Sequence, residues 1–278
     1  SGGLTLSVGT LVVGNNAALG TGDATFAADV ALNSDSSARS VTNNIKFRNL
    51  TVGGTGALTL SGALTQDAGS YTLTNNLAAG LTLGAVNLSS SSVNRTLTVV
   101  GTGNTTISGA IANGGTATAS SVTLNASGST LTLSGANTYG GTTTITAGTL
   151  VLANGSAIAD TGAIANASGA VLRVDASETI GSLSGAGNVN LNGSGVALTI
   201  AETATNTISG AITNTGRLIK SGAGTIALSA SNSYSGGTTL NSGALEIKND
   251  NALGTGTLVL NGGTIGSSGS GRTLANAA

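Results

Sequence analysis

The sequence predicts an all-β fold, a parallel β-solenoid (β-helix) with essentially no α-helix, from three observations. Short segments that alternate apolar and polar residues recur along the chain. Several phrases are repeated in register. Pro, Cys, His, Met and Trp are absent, whereas Gly occupies 45 positions. A stack of many thin coils explains all three observations, because each coil is short and buries its inward face only against neighbouring coils.

The composition predicts a folded chain with a narrow, aliphatic core. Disordered chains combine low hydropathy with high net charge, whereas here the mean hydropathy is +0.30 and the net charge is −1. Large apolar side chains are scarce, because the only aromatic residues are two Phe and three Tyr: Phe26, Phe47, Tyr71, Tyr139 and Tyr234.

The strands are predicted from alternation. Each short segment places Leu, Ile or Val on one face and Thr, Ser or Asn on the other, as in a half-buried strand. Gly and Asn separate the segments and allow tight corners. No stretch of a dozen residues has apolar residues at helical spacing. The clearest strand segments are residues 57–61, 71–74, 96–100, 122–124, 130–134, 171–174, 197–200 and 258–260.

Repeated phrases lie at residues 1–21, 134–158 and 229–255. Residues 139–158 and 234–253 align without a gap at an offset of 95, and each copy reads as a turn, a strand, a glycine turn and another strand. A β-sandwich is the alternative fold, but it does not explain copies in register and normally needs larger core residues.

We therefore expect residues 1–278 to form a single continuous β-solenoid. Coils of roughly 20 to 25 residues give about a dozen coils, and stacking at about 4.8 Å per coil gives a rod on the order of 60 Å long. The chain begins without Met or a signal peptide and shows no polar cap at either end. We expect it to be a slice of, or a subunit in, a longer rod that associates end to end or side by side.

Charge and hydropathy exclude two classes of partner. Nine basic and ten acidic residues are scattered singly, without the basic stripe that nucleic-acid binding requires. No apolar run approaches the ~18 residues needed to cross a bilayer. The absence of Cys leaves the cellular compartment open.

The residue types also restrict chemistry. Without His or Cys, catalytic triads and most zinc sites are excluded. No glycine-rich phosphate loop or calcium-binding nonapeptide is present, although isolated calcium sites stay open. We predict no catalytic, cofactor-binding or metal-binding residue.

Paired carboxylates are the remaining catalytic alternative, because some polysaccharide-degrading β-helices use two acids. Asp175 with Glu178 is one candidate pair. Alternation places Asp175 beside Arg173 on the outer face, which favours a surface ion pair, and Glu246 with Lys248 repeats this arrangement.

A second candidate pair, Asp29 with Asp35, lies in a loop rich in Asn and Ser, where solvation is the simpler interpretation. Lys46 and Arg48, with Arg39 nearby, form a local basic cluster. A contact with an anionic glycan is one interpretation of this cluster, and a solvated strand face is the favoured one.

Two further patterns have a structural and a functional interpretation. Tyr139 and Tyr234 occupy equivalent repeat positions, which favours packing at a corner over stacking on sugars. Thr-x-Thr motifs begin at Thr72, Thr96 and Thr130 and at Thr144. A flat rank of threonines is typical of ice-binding solenoids, but intervals of 24, 34 and 14 residues predict that no such rank forms.

Residues 216–245, GRLIKSGAGTIALSASNSYSGGTTLNSGAL, resemble the autotransporter-associated β-strand repeat of bacterial surface proteins. Residues 129–152 resemble its second half, with Gly140 in place of the usual residue between Tyr and Gly-Gly. The segment ETIGSLSGAGNV, which begins at Glu178, is similar to a phrase that often precedes the repeat.

This resemblance implies a right-handed parallel solenoid, export to the surface of a Gram-negative-type bacterium, and no catalytic residue. It favours a non-catalytic extracellular structural element, a stalk, surface fibre or matrix component with an adhesive role toward host or matrix glycans or proteins. The alternative is a carbohydrate-binding or carbohydrate-cleaving β-helix module. We expect no nucleic-acid partner and no membrane span in this chain.

Overall fold

The computed structural model describes residues 3–268 and 271–277. Ser1 and Gly2 of the first repeated phrase lie outside the described residues. The chain divides into two compact units, Ser1–Thr142 and Thr143–Ala278. Within the described ranges all secondary structure is β, all strand pairs are parallel, and no helix could span a membrane. The predicted all-β, parallel β-solenoid is confirmed, with about 13 turns against the dozen expected.

The strands of the first unit are short and are separated by turns. In chain order they are β1 (Leu4–Leu6), β2 (Gly9–Val13), β3 (Ala24–Phe26), β4 (Val30–Ser34), β5 (Arg39–Val41), β6 (Ile45–Phe47), β7 (Leu50–Gly54), β8 (Leu58–Leu60), β9 (Leu64–Gln66), β10 (Tyr71–Asn75), β11 (Leu81–Leu83), β12 (Val86–Asn87), β13 (Thr96–Val100), β14 (Thr105–Ile107), β15 (Ile111–Ala112) and β16 (Ser121–Leu133).

From β4 onward, successive strands of the first unit join three stacks in turn, which is the topology of a coil. Stack A contains β1, β3, β6, β9, β12 and β15. Stack B contains β2, β4, β7, β10, β13 and the start of β16. Stack C contains β5, β8, β11, β14 and the end of β16. Each strand therefore pairs with the strand one full turn later in the sequence.

The second unit follows the same plan. Its strands are β17 (Thr143–Leu152), β18 (Ala163–Asn166), β19 (Val171–Val174), β20 (Glu178–Ile180), β21 (Ser182–Gly185), β22 (Asn188–Leu191), β23 (Ala197–Ala201), β24 (Thr205–Ile208), β25 (Ile212–Asn214), β26 (Arg217–Ser221), β27 (Thr225–Leu228), β28 (Thr238–Leu240), β29 (Ala244–Ile247), β30 (Leu258–Leu260) and β31 (Thr264–Ser267).

Three stacks again result. Stack D contains the start of β17 and then β18, β21, β24, β27, β29 and β31. Stack E contains the end of β17 with β19, β22 and β25. Stack F contains β20, β23, β26, β28 and β30. The prediction that one uninterrupted solenoid covers residues 1–278 stays a prediction.

The core is thin and aliphatic, as the composition predicts. In β8 the two leucines are buried and Thr59 between them faces outward, and β11 repeats this pattern. Phe26 and Phe47 are buried at paired positions of adjacent strands in stack A. Each ring therefore fills the core of its own coil. A strand of three residues thus contributes two inward side chains and one outward side chain.

Two of the three repeated phrases have the predicted strand, glycine turn and strand, whereas in the remaining one the two strands join. The three phrases correspond to β1 with β2, to β17, which is continuous, and to β28 with β29. Each ends in the same asparagine turn, in which the side-chain oxygen accepts the backbone N–H two residues later. The three turns are those of Asn15, Asn154 and Asn249, with donor–acceptor distances of 2.8, 3.0 and 2.9 Å. This turn fixes where each coil changes direction.

Candidate functional site

Asp175 lies on the outer face of the second unit, as alternation predicts. Its neighbours Leu172 and Val174 are buried. Arg173 Nε donates to Asp175 Oδ1 at 2.6 Å, and Asn192 Nδ2 donates to the same oxygen at 2.8 Å. The predicted ion pair is confirmed, and the Glu246–Lys248 pair also forms, at 3.5 Å.

Glu178, the second member of that candidate pair, lies in the interior. Only 2% of its surface is exposed, and its two carboxylate oxygens accept the backbone N–H groups of Ala157 and Ile158 at 3.2 and 2.8 Å. Burial raises the pKa of Glu178 to about 7. Glu178 and Asp175 are thus engaged with different partners on opposite sides of the coil wall, and they do not form the two-acid arrangement of a glycosidase.

Asp29 and Asp35 flank β4 and hold polar partners on the coil surface. Asn49 Nδ2 donates to Asp29 Oδ1 at 2.8 Å. Asp35 binds the Arg39 guanidinium through both oxygens and accepts the Ser37 N–H at 3.0 Å. The hydrogen bond from Arg39 holds the pKa of Asp35 below its usual value. Simple loop solvation is therefore the wrong interpretation of Asp35, which stabilises a turn.

The predicted basic cluster does not assemble as one surface. Arg39 is paired with Asp35, and Arg48 lies 3.5 Å from a carboxylate oxygen of Asp67. Lys46 lies on the outer face of stack A, in register between Thr25 and Thr65. The two arginines are neutralised locally, so this region provides no concentrated positive charge for an anionic glycan.

Tyr139 and Tyr234 are buried, which confirms packing over sugar stacking. Tyr234 is fully buried, and its hydroxyl shares a 2.5 Å hydrogen bond with the Thr238 hydroxyl. Thr238 in turn donates to the Leu253 carbonyl at 3.0 Å. Burial raises the pKa of Tyr234. In this coil no stack E strand lies between β27 and β28. The Tyr234 ring fills the core at that position.

An asparagine two residues before each of these tyrosines ties neighbouring coils together. Asn232 Oδ1 accepts the Ile212 N–H at 2.8 Å, and its Nδ2 donates to the Ala252 carbonyl at 2.6 Å. Its two partners lie 20 residues before and after it. Asn137 Oδ1 accepts the Ile111 N–H at 2.7 Å in the same way. The repeated Asn-x-Tyr phrase is therefore a structural device.

The expectation that irregular intervals prevent a threonine rank is wrong. Thr72 pairs with Thr98, which pairs with Thr123, and a longer rank follows stack C. Loops at the corners absorb the differences in interval, so the register of the strands is kept. The stack C rank consists of Ser40, Thr59, Thr82, Thr106 and Thr132.

Two charged residues with structural roles were missed by sequence reasoning. Lys220 is fully buried, and its Nζ donates to the carbonyls of Ser221 and Gly222 at 2.6 and 2.8 Å. Burial lowers the pKa of Lys220. Glu202 is buried and accepts the backbone N–H groups of the two residues that follow it. Strand alternation was an available signal, since Lys220 has the same parity as buried Leu218 in β26.

The polar surface of each unit also carries openings. In the first unit two adjoining openings share Asp23 and Asn44. In the second unit an opening lies beside Asp160 and Glu202. Among the described residues no three His, Cys, Asp or Glu side chains are close enough together to hold a metal ion.

Two segments of the chain, residues 127–152 and 218–247, match the family described as passenger-associated-transport-repeat. Over 56 residues the chain is 48% identical to the adhesin BmaC autotransporter of Brucella suis biovar 1 (strain 1330). That alignment covers 19% of this chain and 2% of the relative, so the two proteins share a short stretch. No solved structure matches the chain.

These matches confirm the predicted resemblance to autotransporter passenger repeats in the two matched segments. The matched segments contain the structural phrase described above, with Asn137 and Tyr139 in one and Asn232 and Tyr234 in the other. Lys220 also lies in the second segment. Both matched segments therefore contain residues that close and connect coils.

Proposed function

We propose that this chain is a non-catalytic part of a bacterial surface or secreted protein, which extends and displays an adhesive surface outside the cell. The proposal rests on one observation. The two segments that match the passenger repeat contain the asparagines and tyrosines that connect and fill the coils. The similarity to a protein named as an adhesin supports an adhesive role.

The charged side chains agree with a structural role. Asp35 and Asp175 are held in ion pairs with arginines, and Glu178 and Lys220 are bound to backbone groups inside the coils. A general acid and a nucleophile require two free carboxylates facing one substrate. Neither candidate pair meets that requirement, so carbohydrate cleavage has no observation in its favour.

The proposal is tested by binding and by turnover on the same preparation. Biotinylated chain is applied to fixed epithelial cells and to surfaces coated with extracellular matrix, and bound chain is detected with streptavidin. Saturable binding that heat-denatured chain does not show is expected. Polysaccharides incubated with the chain are expected to release no reducing ends. Enzymatic release, or the absence of binding to every surface, would contradict the proposal.

A further inference from the structure

A groove on stack A of the first unit has the composition of a binding site for hydroxyl groups. It is formed by the two adjoining openings that share Asp23 and Asn44, with volumes of about 350 and about 270 Å³. We call it the polar groove and define it by Asn16, Asp23, Lys46, Thr65 and Asn87, which line these openings. Its size is in the range of small-molecule sites.

Asp23 is held by a relay that leaves one carboxylate oxygen free. The Ala63 N–H donates to Asn44 Oδ1 at 3.1 Å, and Asn44 Nδ2 donates to Asp23 Oδ1 at 3.2 Å. Asp23 Oδ2 accepts no hydrogen bond from any residue that the structure describes. The relay restrains the carboxylate, which reduces the side-chain entropy that is lost when a ligand hydroxyl binds it.

The next outward positions of stack A add donors and acceptors in regular steps. Lys46, Thr65 and Asn87 occupy paired positions on successive strands, about 4.8 Å apart. Asn87 Nδ2 donates to Thr65 Oγ1 at 3.3 Å. This contact leaves the Thr65 hydroxyl proton and Asn87 Oδ1 available to a ligand. Lys46 has no ion-pair partner in the described part of the chain.

The wall of the groove is also fixed before any ligand binds. Asn43 is 8% exposed, and its Nδ2 donates to the carbonyls of Gly20 and Gly22 at 3.1 and 2.6 Å. Asn16 Oδ1 accepts the Ser40 N–H at 3.0 Å. The loop between β2 and β3 is thus tied to the next coil, which lowers the entropy lost on binding.

We propose that the polar groove binds an uncharged oligosaccharide. Asp23 accepts hydrogen bonds from sugar hydroxyls, and Lys46 and Thr65 donate to sugar oxygens. The charges of Asp23 and Lys46 cancel, so the groove favours a neutral chain over an anionic one. This inference rests on the proposed adhesive function and names the ligand class that the surface recognises.

Because no aromatic ring lines the groove, binding depends on hydrogen bonds, and a dissociation constant on the order of 1 mM is expected for a single site. The purified chain is titrated with neutral hexasaccharides of glucose, mannose, galactose and N-acetylglucosamine, and with a heparin hexasaccharide as the anionic probe. Saturation-transfer NMR detects binding in this range. At least one neutral probe is expected to bind more tightly than heparin.

The structure offers a matched control for Asp23. Asn49 accepts the Thr72 N–H at 3.0 Å and donates to Asp29 at 2.8 Å, which is the same relay at another corner. Asp29 lines neither opening of the groove. Asp23→Asn is expected to weaken binding about tenfold through the loss of a charged acceptor, whereas Asp29→Asn changes it less than twofold.

Three outcomes overturn the proposal: no neutral probe binds at about 10 mM, only heparin binds, or Asp23→Asn binds as the unmodified chain does. Circular dichroism of both variants establishes that the fold is kept. If cell binding persists while the groove fails these tests, the adhesive function stands and the groove is not its site. If cell binding is also absent, the proposed function fails with it.

Discussion

Replacement of Asn232 by alanine tests how neighbouring coils are connected. Asn232 is 4% exposed and bonds to Ile212 in the preceding coil and to Ala252 in the following one, at 2.8 and 2.6 Å. Both partners are fully buried. Alanine leaves one buried N–H and one buried C=O unpaired, at about 1–3 kcal/mol each. We expect a loss of about 2–6 kcal/mol in the free energy of unfolding.

Urea unfolding followed by circular dichroism measures this loss. With a slope of about 3 kcal/mol per molar urea, the midpoint is expected to fall by about 1 M. Asn251→Ala is the matched control, because Asn251 is exposed and its side-chain nitrogen makes a single 3.3 Å bond to Ser231. Its midpoint is expected to stay unchanged. A loss below about 0.5 kcal/mol for Asn232→Ala would refute the bridging role.

Three further predictions concern buried polar groups and close backbone contacts. Since folding raises the pKa of Glu178 from 4.5 to about 7, its contribution is complete below pH 4.5 and is lost as the pH rises through 7. The stability of the unmodified chain relative to Glu178→Gln is expected to fall by up to about 3 kcal/mol between pH 4 and 8, and a flat difference contradicts this. Lys220→Met is expected to destabilise by about 1–3 kcal/mol in urea, because the hydrogen bonds from Nζ to the Ser221 and Gly222 carbonyls are lost, whereas Lys248→Met, at an exposed ion pair, changes stability by less than about 1 kcal/mol. A Cβ at Gly236 lies 2.5 Å from the backbone of the adjacent coil, whereas one at Gly195 meets nothing within 4 Å; thermal melts are expected to show a lower Tm for Gly236→Ala than for Gly195→Ala, and equal values exclude the close contact.

The fold was predictable because alternation in a short strand is unambiguous. In a segment such as Leu58-Thr59-Leu60, one face is apolar and the other polar, so the inward side chains follow directly. The repeated phrases were equally informative, since each carries its own glycine turn and its own asparagine turn. Both signals lie within a few neighbouring residues, and each determines the structure of those same residues.

Register between coils was not predictable, because it depends on the lengths of loops at the corners. The threonine ranks show this: the intervals in the sequence are irregular, yet Thr59, Thr82 and Thr106 lie side by side. The sequence does not say which corner takes up an extra residue. A flat rank therefore cannot be excluded from intervals alone.

Buried charges were missed for a different reason. The charge of a side chain does not indicate whether it lies inside the coil, as for Glu178 and Lys220, or on the outer face, as for Asp175. The burial of Glu178 depends on backbone groups of another coil, the N–H groups of Ala157 and Ile158, which only the fold brings near. Lys220 instead donates to the carbonyls of the two residues that follow it. The polar groove has the same origin, because Asp23 and Lys46 line one opening only after the coils stack.

The most direct test of the adhesive role is the retention of beads under flow. Beads carrying covalently attached chain are passed over epithelial cells, and retention is compared with beads carrying Asp23→Asn chain and with beads carrying heat-denatured chain. Folded chain is expected to retain beads, denatured chain to retain none, and Asp23→Asn to retain fewer if the polar groove makes the contact. Equal retention by folded and denatured chain would contradict an adhesive surface built by the β-solenoid.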